Sequence, residues 1–214
     1  SLSNLGAMSS NLGRRDAALV ATREAVKLYR RLTRDEPGAF GAGLPRSLSN
    51  LGEILDDLGS HDEALAVAEE AVQLYRTAAR SNPLTCTPDL ASSLSNLGLR
   101  LSKVGRHSDA LAATEEAVQL HRRLVAKNCE VFGADLARGL NNLGIELSDL
   151  GRREESLAAY RECGAWVLQL RPDDPNRWCR LCRGAVYWLE MPQDLRDFHL
   201  PLLVRLTEYR ELAW

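Results

Sequence analysis

What this 214-residue sequence lacks narrows its reading before any motif is considered. It lacks an excess of charge of one sign: 27 basic and 29 acidic residues leave a formal charge of −2, which gives no electrostatic reason to expect a nucleic-acid partner. It lacks a disulfide framework. Five cysteines, an odd number at irregular spacings, fit a reducing compartment, and a cytoplasmic location is expected. No apolar run approaches the roughly 18 residues of a membrane span and no signal-peptide pattern opens the chain, so a membrane partner is not expected either. The initiator methionine is also missing, and the chain starts inside a motif that recurs later; both features predict a segment of a longer protein. No serine, cysteine or carboxylate pair has the partner arrangement that catalysis requires, so no catalytic residue, metal site or cofactor is expected and the chain reads as non-enzymatic.

What the sequence does contain is a repeat. SLSNLG stands at Ser1, Ser47 and Ser93 and returns as GLNNLG at Gly139, at a constant spacing of 46 residues. A fixed period of this size means stacked supersecondary units, each with an apolar face that only its neighbours can cover. In the third copy Leu94, Leu97, Leu101 and Val104 recur at helical spacing, Gly105 stops that helix, and Ala110, Leu111, Ala113, Ala117, Val118, Leu120 and Leu124 carry a second stripe. Each copy is therefore a helical hairpin. Gly98, inside the first helix, costs about 1 kcal/mol relative to Ala, so close approach of the second helix near Ala110 is expected to require it.

A leucine followed by Asn-Leu-Gly, a glycine at the turn, Asp/Glu-Ala-Leu and a later small residue resemble the tetratricopeptide repeat over Leu94–Leu120. The pattern recurs at Leu48–Leu74 almost whole, and at Leu2–Leu28 and Leu140–Leu170 with wear. The period exceeds the family's usual length by about a dozen residues, which most resembles the long-helix variety of kinesin light chains and the arrays of fungal and bacterial multidomain signalling proteins. Leucine in place of the family's first-helix tryptophan, and histidine, arginine or aspartate in place of its turn aromatic, are the main departures. The resemblance implies an all-α fold, a right-handed α-solenoid of these hairpins with a divergent C-terminal capping helix pair.

Four copies are expected over residues 1–46, 47–92, 93–138 and 139–171 plus a linker, followed by cap helices in 172–214. The first helix of copy one should run from Ser1 to about Leu12 and its second from about Arg15 to Thr33. Later helices should cover Gly43–Leu58, His61–Arg80, Asp89–Val104 (after a loop through Ser81–Thr87), His107–Lys127 and Gly133–Leu150. The second helix of copy four turns more apolar from Cys163, as a helix buried on more sides does. Cap helices are expected near Asn176–Glu190 and Leu200–Ala213. Cys179-x-x-Cys182 reads as two small core residues, since a structural zinc would need two further ligands, for which Cys163 and His199 are the conceivable candidates. His61, His107 and His121 fall at turn or exposed helix positions.

In the family that this chain resembles, first helices line a concave groove, and an asparagine there hydrogen-bonds the backbone of an extended peptide. The matching residues are Asn4, Asn50, Asn96 and Asn142. An amide offers donor and acceptor together, although the same side chains could instead tie neighbouring repeats. Glu53, Asp56, Asp57, Leu99, Ser102, Lys103, Ile145 and Asp149, with Ser49 and Ser95, should face or rim the groove and set specificity. The centre is acidic to neutral and lacks the basic clamp that grips acidic tails. The expected function is a protein- or peptide-binding scaffold, its partner carrying basic residues beside a small apolar one, and the chain monomeric or weakly self-associating. The alternative is a ligand-sensing or self-association segment of a larger regulatory ATPase of the STAND/NLR type.

Overall fold

The structure, a computed structural model, describes residues 15–35 and 42–170. Within them lie seven helices: α1 (Arg15–Asp35), α2 (Gly43–Asp57), α3 (His61–Ser81), α4 (Pro83–Lys103), α5 (His107–Val125), α6 (Cys129–Asp149) and α7 (Arg153–Leu170). The expected Ser1–Leu12 helix, both cap helices, Asn4, Cys179 and Cys182 lie outside the described residues. The chain divides into two compact units, Ser1–Ala117 and Val118–Trp214.

The hairpin turns α2–α3, α4–α5 and α6–α7 are three copies of one device. Gly59, Gly105 and Gly151 sit at φ of +77°, +79° and +72°, a conformation that only glycine adopts cheaply. At each, the glycine N–H and the N–H that follows it reach back into the last turn: Gly59 to Asp56 (3.0 Å) and Ser60 to Leu55 (2.8 Å), Gly105 to Ser102 and Arg106 to Leu101, Gly151 to Ser148 and Arg152 to Leu147. This double bond pattern satisfies the carbonyls that a helix end leaves over and turns the chain back within three residues.

In the first unit the core joins Val26 of α1, Leu44, Leu48, Leu51 and Leu55 of α2, and Ala64 and Ala71 of α3. The leucines of α2 recur at three and four, so one stripe is buried and the other face is left to solvent. In the second unit Val118 and Val125, Leu136, Ala137 and Leu140, and Leu157, Tyr160 and Cys163 form the equivalent core, with Trp166 packed against it. Gly98 shows why its side chain is missing: a Cβ would collide with the Thr114 hydroxyl and lie 3.3 Å from the Ala110 carbonyl. The second helix approaches where the sequence places it, with Thr114 as the tighter neighbour.

Two helix starts differ from expectation. α4 begins at Pro83, so the expected loop through Thr87 is already helical and Pro88 lies inside the helix. Pro83 occupies the first turn, where no N–H donor is needed, and the Asn82 carbonyl accepts the first helical bond from Cys86 N (3.1 Å). α6 begins at Cys129 rather than Gly133, because the Asn128 side chain caps it by accepting from Val131 N (3.1 Å).

A ladder of ion pairs links successive second helices within each unit. Arg30 of α1 meets Glu70 of α3 (2.6 Å), Arg76 of α3 meets Glu116 of α5, and Arg122 of α5 meets Glu162 of α7. Donors and acceptors each recur at the 46-residue period. Arg23–Glu63 (2.7 Å) and Arg106–Glu69 (3.1 Å) add further rungs. Each exposed pair contributes about 0–1 kcal/mol, so the ladder sets the register of stacking more than it drives it.

Candidate functional site

The predicted groove residues fall on first helices. On α2, Asn50 is half-buried, Glu53 and Asp57 are exposed and Asp56 is half-buried; on α4, Asn96 and Ser102 are half-buried while Leu99 and Lys103 are exposed. Their offsets of three and four keep Asn50, Glu53 and Asp57, and likewise Asn96, Leu99 and Lys103, on one helical face. Leu99 is 43% exposed, a large apolar side chain offered to solvent beside polar neighbours. In the second unit α6 carries Asn142, which is buried, Ile145, and Asp149, which is exposed. Ile145 packs against that unit's core, so it is drawn inward from its expected place in the groove.

Among the described residues the side-chain amides of Asn50, Asn96 and Asn142 have no hydrogen-bond partner. The neighbouring serines differ. Ser49 donates to the Pro45 carbonyl (3.0 Å) and Ser95 to the Ala91 carbonyl (3.1 Å), so these hydroxyls serve their own helices rather than the groove rim, as serines in helices often do.

The contact between α2 and α4 is held by a residue that sequence reasoning missed. Arg100 is 4% exposed, its Nε lies 3.0 Å from Asp56 Oδ2, and its Nη1 donates to the Asn96 carbonyl (3.4 Å). Gly52 leaves the space: a Cβ there would stand 3.0 Å from the Arg100 guanidinium. Lys103 Nζ (3.4 Å) and His61 Nδ1 (3.2 Å) also approach Asp56. Asp56 is thus spoken for inside the protein, and the open carboxylates of this face are Glu53 and Asp57. Burial pushes the Glu53 carboxyl above the usual carboxylate range, Arg100 opposes this, and Asp57 and Asp56 add to it. An ionised Glu53 therefore gains from any cation brought to it. The signal for Arg100 was present in the repeat: copies two and four carry Ile54 and Glu146 at that position, and a departure from a repeating pattern marks a local contact.

His121 is the other difference from expectation. It is 1% exposed, and neither ring nitrogen has a hydrogen-bond partner. Burial lowers its pKa, with Asp135 opposing and Arg138 assisting. The position equals Tyr75 and Tyr29 one and two periods earlier. Tyr75 is buried too and its phenol is pushed up to about 12, mainly by that burial. A buried aromatic is what the position asks for.

Compared with known proteins, the sequence matches the family model described as tetratricopeptide repeat over residues 1–33, 46–79, 90–135 and 136–163, well over half of the chain. A comparison with curated protein sequences finds no match. Among solved structures the chain is similar to a putative kinesin light chain of nearly identical TPR-like repeats from Podosopora anserina, at a TM-score of 0.67 and 13% identity, covering 98% of this chain and 93% of that one. It is also similar to BtubC (BKLC) from P. vanneervenii, at 0.63 and 20% identity, covering 89% and 72%. MamA follows at 0.52 and 17% identity, covering 96% and 94%. At such identities these likenesses speak for the fold. The fold, all-α and built of helical hairpins among the described residues, is like that of the putative kinesin light chain repeats, and among the described residues no helix is long and apolar enough to cross a membrane. The chain belongs to the tetratricopeptide-repeat family.

Proposed function

We propose that this chain is a non-enzymatic scaffold that binds an extended peptide along the first-helix face of its first unit, with Asn50 and Asn96 holding the peptide backbone. The family supports protein interaction as the general role. The observation that carries the finer reading is that these two amides have no protein partner among the described residues, which counts against their serving only to tie repeats together. An amide at a repeating position offers a donor and an acceptor whatever the peptide's side chains are. Specificity follows from what stands beside it. Glu53 and Asp57 fit a basic residue and exposed Leu99 a small apolar one, while Lys103 and Ser102 complete the rim. Asp56 organises this surface from below through Arg100. We place the protein in the cytoplasm, as a monomer or a weakly self-associating chain.

Peptide-array binding followed by fluorescence anisotropy tests this. Asn50→Ala with Asn96→Ala should weaken every bound peptide about tenfold or more with helicity unchanged, each amide–peptide pair contributing about 0.5–1.5 kcal/mol. Glu53→Gln with Asp57→Asn should weaken peptides with lysine or arginine selectively. Because the Glu53 carboxyl is raised, a basic peptide should also bind more tightly as pH rises from about 4.5 toward neutrality. Peptides bound equally by wild type and the asparagine variant would overturn the groove assignment.

A further inference from the structure

α1, α2 and α3 border a half-open groove of about 620 Å³. Its floor is aliphatic: Val26 and Leu51, both buried, and Val67. Its rim is mainly cationic, with Arg23, Lys27, Arg30, Arg31 and Arg34 contributed by α1 and one carboxylate, Glu63, by α3. Over the eleven steps from Arg23 to Arg34 the rise is about 16 Å, so the cations form a file along one wall.

Two of them have protein partners. Arg23 Nη2 donates to both oxygens of Glu63 (2.7 and 2.9 Å), and Arg30 is paired with Glu70. Among the described residues no carboxylate pairs with Lys27, Arg31 or Arg34, and all three are exposed. The concentration of charge is particular to this repeat. Where α1 has Arg23, Lys27 and Arg31, α3 has Glu69, Gln73 and Thr77 one period later, and α5 has Glu115, Gln119 and Arg123. Arg30, by contrast, is the ladder residue that recurs as Arg76 and Arg122, and Arg34 returns once as Arg80. Five cations on one face of α1 thus stand where α3 and α5 keep two each, and Lys27, which no later copy repeats, is not required by stacking.

We propose that this groove binds a small phosphorylated organic anion with an apolar body. The volume lies within the roughly 300–1,000 Å³ of small-molecule sites. Arginine forks match phosphate oxygens in pairs, and lysine adds a point charge. The floor covers an aliphatic portion. An extended peptide fits less well, because among the described residues the lining has no asparagine, glutamine, serine or threonine to satisfy a peptide backbone.

Isothermal titration calorimetry with pyrophosphate, n-hexyl diphosphate and tetraglutamate tests the assignment, on wild type and on Lys27→Gln/Arg31→Thr, which restores the residues of α3. Circular dichroism and urea unfolding of the variant establish that the fold is kept. Hexyl diphosphate should bind wild type more tightly than pyrophosphate, weaken with added salt, and lose at least tenfold in the variant, while peptide binding at the first-helix face stays unchanged. Equal affinity for hexyl diphosphate and pyrophosphate would remove the apolar body from the proposal. No binding of either phosphate, equal binding by the variant, or tighter binding of tetraglutamate would overturn it. Co-sedimentation with phosphatidylcholine vesicles containing phosphatidylinositol phosphate, without binding of the soluble compounds, would overturn it in favour of a lipid surface.

Discussion

Replacing His121 with leucine should make the protein more stable, although it alters a core residue. The imidazole is 1% exposed and both nitrogens are without hydrogen-bond partners. A buried polar group left unsatisfied costs about 1–3 kcal/mol, and leucine of similar volume removes that penalty with little repacking. The gain in unfolding free energy at neutral pH should therefore be about 1–3 kcal/mol, or some 2–4 °C in Tm for each kcal/mol in a chain of this size. Acidification gives a second readout with a defined sign. Burial lowers the folded-state pKa of His121, so below the unfolded-state value of about 6.5 the unfolded chain takes up a proton that the folded chain refuses. That contribution makes wild-type stability fall as pH drops below about 6.5, until the folded pKa is passed. The charges facing the ring, Asp135 and Arg138, both belong to α6 and act in opposite directions. Urea unfolding followed by circular dichroism at pH values on both sides of 6.5 measures both effects. His121→Leu should raise the midpoint at neutral pH and widen its advantage at acid pH. A variant that unfolds earlier at both pH values, or an advantage independent of pH, would refute a buried neutral imidazole.

Gly98→Ala should destabilise by about 1–3 kcal/mol through the clash with Thr114, less up to about 1 kcal/mol of gained helix propensity; adding Thr114→Ala should recover most of the loss in the same urea assay. Asp56→Ala leaves the Arg100 cation buried without its carboxylate and should cost about 3–5 kcal/mol, whereas Asp56→Leu with Arg100→Met should cost much less; equal losses would mean that the pair is effectively solvated. A double-mutant cycle on Arg76 and Glu116, exposed by 38% and 39%, should give a coupling of about 1 kcal/mol or less that shrinks with added salt.

The hairpins were legible because every signal agreed: leucines at three and four, a glycine at each turn, and the same pattern one period later. Gly98 could be read as a contact before any neighbour was known, since a helix keeps a glycine only where something else takes the space. The starts of α4 and α6 were harder to read. Pro88 looks like a beginning and is an interior residue, while the true signals, Pro83 after Asn82 and the Asn128 cap, are single residues without periodicity. At the candidate site the sequence could place Asn50, Asn96, Glu53 and Leu99 on helix faces, because a face follows from spacing alone. It could not show that Asp56 is taken by Arg100 and Lys103 of α4, with His61 beside them, since the first two depend on which side chains meet across helices more than 40 residues apart. His121 misled for a related reason. Histidine is polar and sits among charged neighbours, yet its position belongs to the core, as Tyr75 already indicated.

A repeat protein separates these cases better than a single-core domain can, because each copy serves as a control for the others. A residue that returns at 46, such as Arg30 with Arg76 and Arg122, serves the stacking that all copies share, and its exposed ion pairs suffice to explain it. A residue that departs needs its own cause. Arg100 has one in Asp56, and stands where other copies have Ile54 and Glu146. Lys27 has none among the described residues, yet it lines a groove with an apolar floor beside Arg31, where the next copy carries Gln73 and Thr77 and the third Gln119 and Arg123. Like charges gathered along one helix repel one another and destabilise it slightly, so their concentration in one copy calls for a gain that stacking does not supply. An anion is the partner that returns it.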